Sequence, residues 1–129
     1  MIEPHSLSGV FYLYQYLYYM KYLITESQID KVIFKYLNHQ DFIQIEKNNN
    51  IYFVNSEGDK YAQIRYDKSD GWCGVNYELV NEISSFFSLQ HSDSKEVIGR
   101  WVENTLQMKV TDTGAEAHGF HWGLRIPSN

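Results

Sequence analysis

Two histidines three residues apart, His118 and His121 in the run His-Gly-Phe-His, are the most suggestive side chains for chemistry in this chain; Asp112 and Glu116 stand just before them. Two imidazoles and a carboxylate can hold a metal ion. An imidazole can also serve a metal-free nuclease or hydrolase, with Lys, Tyr and Arg as helpers around a phosphate. The spacing tells against both. On an extended strand, positions i and i+3 point to opposite faces, no third ligand follows at a fixed spacing, and the surrounding charges are mainly acidic. The plainer reading is an exposed loop followed by an edge strand whose Trp122 packs on the core. Cys73 is the single cysteine. A nucleophilic thiol needs a base or a helix N-terminus to lower its pKa. A helix expected to open at Asn76 is close, but a cysteine in Asp-Gly-Trp-Cys-Gly-Val reads first as a small buried apolar residue. One cysteine also excludes an internal disulfide and the C4 and C2H2 types of zinc site. No cofactor is expected.

The remaining chemistry is charge. Sixteen acidic residues against eleven basic ones give −5, and residues 1–40 are balanced at three of each, so the acidity lies in the last two thirds. An acidic surface disfavours phosphate backbones and favours basic partners. Glu57 and Asp59 share one turn, Asp67 and Asp70 another. Glu78 and Glu82 are one helical turn apart, away from the apolar stripe of their helix. Successive turns of a meander lie at opposite ends, which separates 56–59 from 67–71. Asp67, Asp70 and Glu78 are expected to cluster, because only a short strand carrying Trp72 joins them. Asp67, Asp70, Trp72, Glu78 and Glu82 are therefore the candidate partner-binding residues; the alternative is an ordinary solvated surface.

The elements that must position these groups follow from hydrophobic period. Residues 11–23 hold six of the eleven tyrosines, a residue type suited to half-wet contact surfaces. Leu13, Leu17, Met20 and Ile24 fall at helical spacing, which predicts a helix from near Ser8. Ile29, Val32, Ile33, Tyr36 and Leu37 predict a second over 27–38. From residue 41 the period becomes two, predicting strands at 42–46, 51–55, 61–67 and 72–75 joined by short polar turns, an antiparallel meander. Asn76 opens a helix with the stripe Leu79, Val80, Ile83, Phe86 and Phe87. Asp93 and Glu96 have capping-box spacing before a last helix carrying Val97, Ile98, Trp101, Val102 and Leu106. Residues 108–112 and 120–126 read as a final strand pair.

Two N-terminal helices, an antiparallel meander, two further helices and a C-terminal strand pair make an α+β fold, expected as a single domain over 1–129. The N-terminus has no basic segment of the signal-peptide kind, and the apolar stretch 10–20 is too short to span a bilayer before Lys21. The expectation is a cytoplasmic protein with no membrane or nucleic-acid partner.

Residues 77–113 combine a helix ending in Phe-Phe-Ser-Leu, a polar break, a helix with Ile-Gly-Arg-Trp-Val-Glu-Asn-Thr-Leu, and a strand. This linked pattern resembles the C-terminal part of small bacterial immunity proteins that protect a cell from its own contact-dependent growth-inhibition toxin. The resemblance implies a cytoplasmic, non-catalytic protein that binds and occludes a cognate toxin domain. Many such toxins are nucleases with basic substrate channels, which an acidic inhibitor would complement. The alternatives are a small hydrolase or nuclease using His118 and His121, and an adaptor module joining a larger assembly through the tyrosine helix.

Overall fold

The computed structural model describes residues 26–122. The tyrosine run, the helix expected over it and residues 123–129 lie outside the described residues. The chain divides into two units, with the boundary between Val32 and Ile33.

Helix α1 spans Glu26–Asn38 and carries Ile33 and Leu37, both fully buried. The strands β1 (Ile43–Lys47), β2 (Asn50–Val54), β3 (Tyr61–Ala62), β4 (Ile64–Asp67) and β5 (Trp72–Asn76) come next. Helices α2 (Tyr77–Phe87) and α3 (His91–Leu106) then lead to β6 (Asp112–Glu116) and β7 (Phe120–His121). The fold is α+β, with a five-stranded sheet in the order β1-β2-β4-β5-β6 and a separate ribbon of β3 with β7. Neighbours from β1 to β5 run antiparallel, as the alternating period requires.

The expected C-terminal strand pair is not one pair. β6 lies parallel to β5, with Trp72 opposite Asp112 and Asn76 opposite Glu116. β7 pairs instead with β3, Tyr61 opposite His121. The segment before β6 explains the change. The Tyr66 hydroxyl donates to the Lys109 carbonyl at 2.7 Å. Thr111 N–H donates to the Gly71 carbonyl at 2.9 Å, and its hydroxyl to the Asp70 carbonyl at 2.8 Å. These bonds consume residues 109–111 as a connector and deliver the chain to β5 in the same direction.

The strand expected over 61–67 is also divided. Gln63 N–H bonds the Phe53 carbonyl at 2.8 Å and its own carbonyl accepts from Asn76 N–H at 2.7 Å. The chain stays hydrogen-bonded there but turns, so that β3 leaves the main sheet to meet β7. The last helix begins earlier than the Asp93/Glu96 spacing predicts: Gln90 is its N-cap, without a side-chain cap bond, and Asp93 falls in the first turn. An acid there still meets the positive end of the helix dipole.

Strand alternation gives the sheet two different faces. Phe53, Ile64, Cys73 and Val75 are buried on the helix side with Ile83, Ile98, Trp101 and Val102. Trp101 anchors this core: its ring lies 5.3 Å from Phe53 and 5.9 Å from Phe42, and its indole N–H donates to Asn38 Oδ1 at 2.9 Å. On the opposite face Tyr52, Val54 and Ala62 form a smaller core, with Ile43, Ile45, Phe120 and Trp122 packed against it. The β3–β7 ribbon therefore straps the side of the sheet away from the helices.

Candidate functional site

The five candidate residues fall into two groups. Asp67, Asp70 and Trp72 belong to the β4–β5 turn. Asp67 Oδ1 accepts from Ser69 N–H at 2.9 Å and from its hydroxyl at 2.5 Å. These bonds, side chain first and backbone second, hold the Asp67 carboxyl below its usual pKa, with Arg65 adding to the effect. Asp70 Oδ1 accepts from Trp72 N–H at 2.9 Å, and Lys68 forms an ion pair with Glu46. The turn is thus organised by its own acids.

Glu78 and Glu82 are elsewhere. Glu78 follows the far end of β5. At roughly 3.3 Å per residue, that strand keeps it more than about 13 Å from the turn. The expected cluster of Asp67, Asp70 and Glu78 does not form, because an extended strand of even five residues is a long spacer. The α2 acids have other company. Tyr77, Glu78, Asn81, Glu82, Ser85 and Phe86 are all exposed, Phe86 at 67% and Tyr77 at 43%. Glu82 accepts a hydrogen bond from the Tyr36 hydroxyl, and the Tyr36 ring lies 5.5 Å from Phe86. Asn76 fixes where this helix starts: its Oδ1 accepts from Glu78 N–H at 3.2 Å while its Nδ2 donates to Gln63 Oε1 at 2.9 Å.

His118 and His121 come together, contrary to the strand-alternation argument. Only Phe120 and His121 are extended; His118 sits in the turn before them. Both line one cavity of about 360 Å³, along with Tyr52, Tyr61, Arg65, Glu116 and Phe120. The His121 ring meets Tyr61 edge-on at 5.0 Å. Trp122 packs on the strap core, as the plainer reading expects. Among the described residues no group of three His, Cys, Asp or Glu side chains is placed to hold a metal ion. Trp72 lies over the glycines of the same face. A Cβ at Gly74 would fall 2.3 Å from Phe120 Cζ and 2.5 Å from Trp72 Cζ3, and one at Gly114 2.6 Å from Trp72 Cζ2. Only glycine at both positions admits the indole. Arg65, on this face between Tyr52 and Gly74 in register, places its guanidinium carbon 5.2 Å from the Trp72 ring and 5.3 Å from the Phe120 ring.

Cys73 is no nucleophile in this setting: it is fully buried, and burial pushes its thiol up to about 12. Arg65, Tyr52 and Phe120 are the cavity residues that the sequence argument missed. Two signals pointed to them: an arginine inside an apolar strand, and glycines inside β5 and β6, where a glycine marks a close approach. No protein-family model matches the sequence, and no curated protein or solved structure matches it either.

Proposed function

We propose that this protein is a cytoplasmic immunity protein that binds a cognate toxin domain with a basic substrate channel, such as a nuclease, and occludes it without catalysis. The observation that carries the reading is the outward face of α2, where Glu78 and Glu82 stand between exposed Tyr77 and Phe86. Acids steer a basic partner and aromatic side chains anchor it. The Asp67–Asp70 turn extends the negative field, and its internal hydrogen bonds reduce the ordering cost of any contact made there. No helix among the described residues is long and apolar enough to cross a membrane.

The test is co-expression with the product of the neighbouring reading frame. A complex and restored growth are expected, and Glu78→Lys with Glu82→Lys should weaken the complex by about tenfold or more, since close charge pairs at interfaces are worth over ~1.4 kcal/mol. Asp67→Lys with Asp70→Lys should mainly slow association. Absence of both complex and protection overturns the reading. A second reading, a small hydrolase or nuclease, draws on one observation: His118 and His121 line the same cavity as Arg65. Alanine at both histidines separates the two, since it abolishes hydrolysis and leaves occlusion through α2 intact.

A further inference from the structure

The strap side of the sheet contains a cation with a buried donor, the Arg65 Nε, that no described residue pairs. Arg65 lines the 360 Å³ cavity, and its Nε is buried with no hydrogen-bond partner among the described residues. Trp122 Nε1, in the same layer, is a second buried donor without a partner. Leaving a charged donor unpaired in a low-dielectric site is costly, and a surface arginine could avoid that cost by turning to water. The Arg65 Nε is enclosed instead. Trp72 and Phe120 meet at 6.1 Å and 79°, and the guanidinium sits in the angle between the two rings. Their faces stabilise the cation without supplying an acceptor. Gly74 and Gly114 exist as glycines to let the indole take this position.

The rest of the lining completes a polar pocket. Tyr52 and Tyr61 bring hydroxyls from β2 and β3, and His118 and His121 bring imidazoles from the turn and β7. Among the described lining residues Glu116 is the one acid, and no ion pair among them joins it to Arg65. We propose that this cavity is an oxyanion-binding site in which Arg65, set between Trp72 and Phe120, receives a carboxylate or phosphate group. A planar guanidinium pairs with such groups through two parallel N–H bonds, and the tyrosine and histidine side chains add further donors. The site is independent of the α2 face and of the toxin reading.

The source of the oxyanion is either a free small anion or an acidic side chain of a protein, and two titrations distinguish them. The isotope-labelled full chain is titrated in one arm with inorganic phosphate and in the other with an acetylated, amidated glutamate peptide, with the Arg65 Nε–Hε resonance as the readout. Saturable movement of that resonance, together with those of Phe120 and His121, is expected in at least one arm. Phosphate alone identifies a free anion, the peptide alone identifies a protein carboxylate, and the tighter of two responses names the source. Arg65→Gln should lower affinity about tenfold or more, the loss of at least one charged hydrogen bond, whereas Lys95→Gln on α3 should leave it unchanged. An unmoved Arg65 resonance in both wild-type arms overturns the proposal, whether or not the Arg65 variant folds. Equal affinity in a folded Arg65→Gln protein does so as well.

Discussion

At the scale of single residues, burial decides between chemistry and structure. Cys73 has the neighbours that make a sequence reader suspect a nucleophile, yet its thiol is enclosed by the helix-side core and raised from 9.0 to about 12 by desolvation. Burial both suppresses the thiolate and closes the sulfur to reagents. Iodoacetamide should therefore leave the native protein almost unmodified at that pH and alkylate it rapidly in denaturant. Native alkylation at the denatured rate would contradict the burial. Tyr66 follows the same logic: desolvation first, with the nearby carboxylates of Glu103, Asp70 and Asp67 adding to it, raises its phenol. The hydroxyl stays protonated and donates to Lys109. Individual acids were easy to identify in the sequence. Arg65 was harder, because a lone strand cation says nothing about which rings will flank it until β5 and β7 are in place.

At the scale of elements, Asn76 joins strand to helix. It ends β5, caps α2 and bonds Gln63 across the sheet. Asn76→Ala removes the cap and leaves the Gln63 side-chain Oε1 unpaired, so it should cost about 1–2 kcal/mol, read as a lower denaturation midpoint at unchanged slope. An unchanged midpoint would mean that α2 starts independently of its cap. The helices α1, α2 and α3 and the strands from β1 to β5 were legible because their periods, 3.6 and 2, are local properties of sequence. The parallel placement of β6 was not. Strand direction is set by where the chain enters, and the entry is fixed by the bonds of Tyr66 and Thr111 to residues about forty positions away. The candidate site was lost at the same level: the acids were found, but a five-residue strand divides them.

At the scale of the whole second unit, one sheet serves two cores of unequal size. The helix-side core includes all of the largest fully buried side chains except Val54 and is closed by α2 and α3. The strap side rests on a ribbon of two-residue strands. Amides of β4 and β5 should accordingly exchange with solvent only on global unfolding, while those of β3 and β7 exchange through a lower-energy local opening. Equal protection in both would show that the strap unfolds only with the sheet. The three tryptophans are divided between these layers: Trp101 among the helices, Trp72 and Trp122 beneath the strap. The molecule thus carries intrinsic optical labels on opposite sides of its sheet. With Trp101 replaced by phenylalanine, the remaining indole emission reports on the strap alone, so the detachment of one layer can be watched without attaching a dye.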